Sequence, residues 1–128
     1  LKISAILETT DYVHEDPFVS IKRAVPSATL VGIVSKEGMP IRVEGDDLKI
    51  HEAMIGSQIA ALSNSTEVIM NDKLDFSVIE GKAGNIIVFQ LEEERILIVA
   101  VPEKNPKKIC KILGKIRSII KKQEEEQE

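Results

Sequence analysis

The clearest pattern in the chain is an amphipathic repeat near its C-terminus. After Asn105 and Pro106, apolar residues recur at the three- and four-residue spacing of one helical face: Ile109, Ile112, Leu113, Ile116, Ile119 and Ile120. Asparagine is a favoured helix N-cap, and proline is favoured at the first helical position. The pattern therefore predicts a helix from residue 106 to residue 122. We expect residues 123–128, which are all Gln or Glu, to form a charged, disordered tail.

Three segments before this helix have the pattern of β-strands. The runs NIIVFQL and ILIVAV are apolar at nearly every position and flank an acidic turn, which predicts a hairpin. A strand such as Ile96 to Val101, apolar on both faces, needs cover on both, so we expect it in the middle of a sheet with helices on each side. The segment KLDFSVIEG alternates instead, with Leu74, Phe76 and Val78 on one face, and predicts an edge strand.

The N-terminal third contains a short helix and a hairpin. DPFVSIKRAV is typical of a helix with Asp16 as its cap and Pro17 in its first turn, and VSKEGMPIRV predicts a hairpin whose turn contains Gly38. Residues 1–15 form an N-terminal extension whose pattern is compatible with a helix or a strand. The predicted order is helix, hairpin, helix, three strands in a meander, and helix.

The middle helix, predicted from residue 46 to about residue 62, is apolar on two sides. At 100° per residue, one sector holds Leu48, Ile55, Ile59 and Leu62, and we assign it to the sheet. The opposite sector holds mostly small residues: Ile50, Ala53, Met54, Ser57, Ala60 and Ala61. Small residues allow a second helix to approach closely, so this sector suits a dimer interface. The alternative is that it packs under the N-terminal segment or the loop that follows the helix.

Composition limits the class of protein. A chain of 128 residues with 43% hydrophobic content is the size of one domain, and a net charge of −4 argues against a surface built as a whole for nucleic acid. Cys110 is the only cysteine, which excludes a disulfide within the chain and favours a reducing compartment. The sequence has no apolar run long enough to span a membrane and no signal-peptide pattern. We therefore expect a cytoplasmic location.

Motifs for catalysis or metal binding are missing from the sequence. His14 and His51 have no second ligand at metal-site spacing, and Cys110 is expected to be a half-buried packing residue. The segment EGKAGN leads into a strand rather than a helix, so it does not suit a phosphate-binding loop. We expect no enzyme activity, catalytic residue, cofactor, metal or small-molecule substrate. The four arginines, Arg23, Arg42, Arg95 and Arg117, are the candidates for an arginine finger, but the pattern does not favour one.

The charge of the chain is most uneven in its last helix. Between Lys104 and Lys122 there are eight basic residues and no acidic one. The predicted basic patch contains Lys107, Lys108, Lys111, Lys115, Arg117, Lys121 and Lys122. One interpretation is a solvated face whose long side chains cover the sheet. The other is a docking strip for an anionic membrane, nucleic acid or an acidic partner.

Two segments together resemble the Roadblock or dynein light-chain domain family. VPSATLVGIVSKEGMPI is similar to that family's first helix end and first hairpin. GNIIVFQLEEERILIVAVPEKNPKKICKILGKI is similar to its last hairpin and final amphipathic helix. The resemblance covers residues 16–122.

The resemblance implies an α+β, Roadblock/profilin-like fold in three layers. A five-stranded antiparallel sheet would carry the middle helix on one face and the terminal helices on the other. It also implies a homodimer and a non-enzymatic scaffold or regulator, for which a Ras-like small GTPase is the expected partner. Combined with the second sector of the middle helix and an open strand edge at Phe76 and Val78, it predicts a two-fold interface formed by that sector and that edge.

Overall fold

The computed structural model describes residues 16–45, 52–92 and 94–127, with side chains described except at 52–58 and beyond 125. The order of elements is the predicted one. Helix α1 (Pro17–Ala24) is followed by strands β1 (Leu30–Ser35) and β2 (Pro40–Gly45) and by helix α2 (Glu52–Met70). Strands β3 (Phe76–Glu80), β4 (Asn85–Gln90) and β5 (Arg95–Val101) then lead to helix α3 (Pro106–Gln127).

The five strands form one antiparallel sheet in the order β2-β1-β5-β4-β3. Strand β5 lies in the centre, as its two apolar faces predict, and β3 lies at an edge, as its alternating pattern predicts. The β1–β5 pair joins distant parts of the chain, with Leu30 opposite Ala100 and Ser35 opposite Arg95. The expected layered α+β fold is confirmed.

Each face of the sheet has its own hydrophobic core. On one face Leu97 and Val99 of β5 pack with Phe18 of α1 and with Ile112 and Ile116 of α3. On the opposite face Ile96 and Ile98 pack with Ile59 of α2 and with Leu30, Val34, Leu74 and Val88. The terminal helices therefore cover one face and the middle helix the other.

Side-chain caps start the two terminal helices where the sequence predicts. The Phe18 amide donates to Asp16 Oδ1 at 3.0 Å, and the Lys107 amide donates to Asn105 Oδ1 at 2.9 Å. Helix α3 differs from expectation at its other end, because it continues to Gln127 rather than ending near residue 122. Glutamate and glutamine are good helix formers, and Glu125 follows Lys121 and Lys122 at helical spacing, which supports the extra turns.

Helix α2 also runs beyond its predicted end, to Met70. The weak helix formers Ser63 to Thr66 predict a loop, but Ser63 is fully buried and donates from Oγ to Gln90 Oε1 at 3.2 Å. The helix stops where Asn71 adopts a positive φ of 53°, a conformation that asparagine tolerates well. Leu74 also differs from the prediction, which placed it on the same face as Phe76. It precedes β3 and packs in the α2-side core, whereas Phe76 stacks on Phe89 on the other face of the sheet.

A group of ion pairs connects α1 with the edge strand β2. Lys22 Nζ lies 2.9 Å from Glu44 Oε2, and Arg42 pairs with Asp16 and stacks 4.3 Å above the Phe18 ring. The hydrogen bond from Lys22 and the charges of Lys22 and Arg42 lower the pKa of Glu44 from its ordinary value. The group is exposed, so its contribution to stability is small.

The β1–β2 turn is closed by three hydrogen bonds. The Gly38 amide donates to the Ser35 carbonyl at 2.9 Å, the Ser35 amide donates to the Met39 carbonyl at 2.8 Å, and the Met39 amide donates to Ser35 Oγ at 3.0 Å. Gly38 has a φ of 90°, which β-branched residues strongly avoid. The predicted positive φ at this turn is confirmed, and the need for glycine there stays a prediction.

We expect Gly38→Val to lower the melting temperature by roughly 5–10 °C, because valine is strained at positive φ. Gly38→Asn is the control and should lose less, since asparagine enters this region more readily. Thermal unfolding followed by circular dichroism measures both. Equal melting of the valine variant and the parent would contradict the turn geometry.

The lowered pKa of Glu44 gives a pH dependence of known sign. A carboxyl whose pKa is lower in the folded state adds stability above its unfolded pKa, and that stability is lost as the pH falls through the folded value. We expect Glu44→Gln to melt a few degrees at most below the parent at neutral pH, with the gap closing below pH 4.5. Glu37→Gln, at an exposed residue with no ion pair among the described side chains, should show no gap at either pH. A gap for Glu44→Gln that persists at low pH would contradict this origin.

Candidate interaction surface

Helix α2 covers only part of its face of the sheet. It packs mainly against β1 and β2, and Ser63 also reaches Gln90 of β4, whereas Ile79 of β3 and Ile86 of β4 remain 40% and 38% exposed on the same side. The register shows that they share this face, because Ile79 lies opposite Ile86 and Ile86 opposite Ala100, which packs against the α2-side core. The part of this face at Ile79 and Ile86 is therefore apolar and partly open.

The last turns of α2 are apolar and exposed. Val68 is 83% exposed, Ile69 78% and Met70 68%, the highest values among the large hydrophobic side chains described. Glu67 on the same turns pairs with Lys36 of the β1–β2 turn at 3.2 Å and fixes the helix against the hairpin. The helix therefore holds three large apolar side chains in solvent.

Strand β3 pairs only with β4 among the described strands, so its outer edge is open. Phe76 and Val78 point to the α3 side of the sheet and are 40% and 36% exposed. Phe76 stacks on Phe89, with ring centroids 5.6 Å apart, and Arg117 of α3 lies 5.1 Å from the Phe76 ring while pairing with Asp75 at 3.3 Å. The open edge is therefore built on a rigid aromatic support.

We define the α2–β3 surface as the exposed apolar residues at the end of α2, on β3 and on the adjacent position of β4. They are Val68, Ile69, Met70, Phe76, Val78, Ile79 and Ile86. Two residues of the predicted dimer interface, Phe76 and Val78, lie on it. The other five were not predicted. Val68, Ile69 and Met70 were missed because the helix was expected to end at residue 62, although the apolar triplet VIM was a signal for a longer one. Ile79 and Ile86 lie on predicted strands, but their exposure depends on how much of the sheet α2 covers.

The remaining residues of the predicted interface differ in how exposed they are. Ala61 is exposed, but Ala60 is 4% exposed and so offers almost no surface to a partner. The physical reason is the rotation of α2, whose buried side is formed by Ile59, Ala60 and Ser63, about one residue later than predicted. Ile50 lies outside the described residues. The backbone of α2 includes Ala53, Met54 and Ser57, whose side chains also lie outside them.

The predicted basic patch lies along α3. All seven of its members are exposed: Lys107, Lys108, Lys111, Lys115, Arg117, Lys121 and Lys122. Arg117 is tied to Asp75 and to the aromatic pair, which separates it from the lysines. Cys110 is exposed rather than half-buried, because it lies one helical step outside the side formed by Ile109, Ile112 and Ile116.

The described residues contain no group of three or more His, Cys, Asp or Glu side chains that could hold a metal ion. None of the described helices is long and apolar enough to cross a membrane. His14 and His51 lie outside the described residues. A pocket of about 120 Å³ between α1, the end of α3 and the β4–β5 turn has a mainly apolar lining that includes Ile21, Leu97 and Ile120.

The arginines are all engaged locally. Arg42 pairs with Asp16, Arg117 pairs with Asp75, and Arg95 donates from Nε to the Glu92 carbonyl at 3.4 Å. Arg23 also has an interaction partner.

Comparison with known proteins agrees with this geometry. The family model described as Roadblock/LC7 domain matches residues 22–101. The chain is similar in structure to a Roadblock/LC7 domain from Streptomyces avermitilis, with 14% identity, a TM-score of 0.62, and 80% of this chain and 91% of that one covered. It is also similar to Myxococcus xanthus MglB, with 20% identity, a TM-score of 0.62, and 88% and 92% covered.

A third similar structure is an MglB described in a tetrameric arrangement, with 12% identity, a TM-score of 0.63, and 89% of this chain and 92% of that one covered. No curated protein sequence matches the chain. The chain belongs to the Roadblock/LC7 domain family, since the family model matches more than half of its length. Membership supports a role as a regulator or scaffold in a GTPase pathway.

Proposed function

We propose that the protein is a non-enzymatic homodimeric scaffold that binds and regulates a Ras-like small GTPase. The observation that carries the dimer is the α2–β3 surface, which combines an unpaired strand edge with exposed apolar side chains on the sheet and at the end of α2. An open edge is a template for pairing with another strand, and buried apolar area supplies the free energy of association.

A two-fold axis perpendicular to the sheet beside β3 satisfies both features at once. Antiparallel pairing of β3 with its copy extends the sheet to ten strands, twice the five of one chain. The two α2 helices then lie on the same side of the joined sheet, where they can cover Ile79 and Ile86 of both chains. The tetrameric arrangement of one similar MglB supports self-association of this fold.

The GTPase partner is supported by family membership. We assign no arginine finger, because Arg42 and Arg117 would have to leave their pairs with Asp16 and Asp75 to reach the partner's phosphates. In this proposal the dimer acts by binding one nucleotide state of the GTPase more tightly than the other, which shifts the population of that state.

Ile69→Glu tests the dimer. The parent should have the mass of two chains by light scattering at micromolar concentration. The variant should weaken association at least a hundredfold, because each interface loses two apolar side chains and gains two like charges. Ile41→Glu is the matched control, since Ile41 is 55% exposed on β2 at the opposite edge of the sheet.

The control variant should keep the mass of two chains. A monomeric parent, or equal weakening by both variants, would contradict the proposed interface. Circular dichroism checks that both variants remain folded.

Calorimetric titration tests the GTPase partner. The dimer is titrated with purified Ras-like GTPases loaded with either GDP or a non-hydrolysable GTP analogue. We expect at least one GTPase to bind one nucleotide state about tenfold or more tightly than the other, because a regulator must discriminate between the two states. Binding of both states with equal affinity, or of no GTPase in the panel, would contradict the regulatory role while leaving the dimer untouched.

Arginine substitutions then test how hydrolysis is affected. We expect Arg42→Lys, Arg95→Lys and Arg117→Lys each to change the GTP hydrolysis rate of the complex by about twofold or less. A true arginine finger supplies roughly 10³–10⁵ in rate. A loss of that size in any one variant would show that the dimer participates in the chemistry.

A further inference from the structure

One exposed flank of α3 carries a row of lysines. Ile109, Ile112 and Ile116 define the buried side of the helix. At 100° per residue, five exposed lysines fall within a sector of about 100° on one flank of that buried side. We call them the lysine row: Lys107, Lys108, Lys111, Lys115 and Lys122. The row is about 22 Å long, from the helical rise of 1.5 Å per residue.

The charges of this row are not neutralised by the rest of the described chain. The ion pairs among described side chains engage Lys22, Lys36, Arg42, Lys104 and Arg117, and no member of the lysine row. The only acidic side chain described on this side of the helix is Glu125, beyond Lys122. The segment from Lys104 to Lys122 holds eight of the 17 basic residues in a chain with 21 acidic ones.

Two features of α3 are unfavourable for the helix itself. Its first turn contains Lys107 and Lys108 and no acidic residue, although the helix dipole favours negative charge there. Gly114 lowers helix stability in mid-helix, yet a Cβ added to it would meet nothing within 4 Å. Neither the packing nor the stability of this chain explains these residues.

Gly114 lies beside the lysine row, with Cys110 one turn before it and Ser118 one turn after it. The centre of the exposed side therefore carries small side chains, and long basic ones flank it. This arrangement lets the helix axis approach a flat surface closely while the lysine side chains extend to it. The apolar side of α3 is occupied by the core, so the helix has no large apolar group to insert into a membrane.

We propose that the lysine row docks the protein on an anionic lipid surface by electrostatic attraction, lying parallel to it. A straight row on a convex helix matches a plane of lipid headgroups. Nucleic acid fits less well, because single strands are held by stacking on aromatic side chains and base edges are read by Arg, Asn or Gln. The lysine row has none of these, and Arg117 is already engaged.

Dimerisation would strengthen this docking. If the two-fold axis of the proposed dimer is perpendicular to the sheet, both α3 helices lie in the same outer layer, and both lysine rows face the same plane. Two linked rows bind more tightly than one by raising the local concentration of the second. The lysine row of a single chain is sufficient for the proposal, so failure of the dimer would weaken membrane binding without abolishing it.

Vesicle co-sedimentation with the full chain tests the proposal. Vesicles of phosphatidylcholine with about a third phosphatidylserine are compared with pure phosphatidylcholine at low salt. The parent should bind only the anionic vesicles and should be released as salt rises past a few hundred millimolar. The double variant Lys107→Gln with Lys111→Gln should bind roughly twenty-five-fold more weakly, at about fivefold per lysine.

A matched control distinguishes an effect of the lysine row from an effect of net charge. Lys73→Gln with Lys82→Gln removes the same charge from exposed lysines outside α3, and it should bind as the parent does. Lys107→Arg with Lys111→Arg should also bind as the parent does, because the charge is kept. The Gln variant of α3 should melt no lower than the parent, since it removes positive charge from the helix start.

Three results would overturn the proposal. One is that the parent does not bind anionic vesicles at low salt. Another is that the two Gln variants lose binding equally, which would reduce the effect to net charge. The third is that the parent binds a short DNA duplex more tightly than anionic vesicles at the same salt, which would assign the lysine row to nucleic acid.

Discussion

The fold depends on the two-sided hydrophobicity of its central strands. In β5, Ile96 and Ile98 belong to one core, and Leu97, Val99 and Val101 to the other. Neither side of this strand can face water without exposing several large apolar side chains, so the sheet needs helices on both faces. Helices α1 and α3 supply one layer and α2 the other. Because α2 packs mainly on the β1–β2 side of its face, Ile79 of β3 and Ile86 of β4 are left partly exposed.

The two edges of the sheet differ in how they are protected. Strand β2 starts with Pro40, contains the charged Arg42 and Glu44, and has a register irregularity between Ile33 and Val34 of its partner. Proline, charge and irregular register all discourage pairing with a further strand. Strand β3 has the sequence FSVIE, and the only charge within it is at its end. The chain therefore blocks one edge and leaves the other able to pair, which is the asymmetry expected of a protein that associates through a single edge.

The sequence pattern predicted the helices and strands well. It did not predict which side chains are exposed, because exposure depends on tertiary contacts. The caps at Asp16 and Asn105, the turn at Gly38 and the central position of β5 all follow from residue type and spacing. The end of α2 did not, because Ser63 is held in a helix by a contact with Gln90, which is distant in sequence. The longer helix carries the exposed apolar residues Val68 and Ile69, which lie outside the predicted small-residue sector. The rotation of α2 that buries Ala60 is likewise set by tertiary packing.

The strand order has a consequence for how the chain folds. Strands β3, β4 and β5 are joined by short turns and can pair as soon as they are made, but β1 pairs with β2 and β5 only, and β5 is the last strand in the sequence. Closing the sheet brings Leu30 next to Ala100. The chain between them forms a large loop, and its conformational entropy must be lost before the central contacts form. Contacts between residues so distant in sequence slow folding. During synthesis the first hairpin must therefore wait, with one side of β1 unpaired, until nearly the whole domain has left the ribosome.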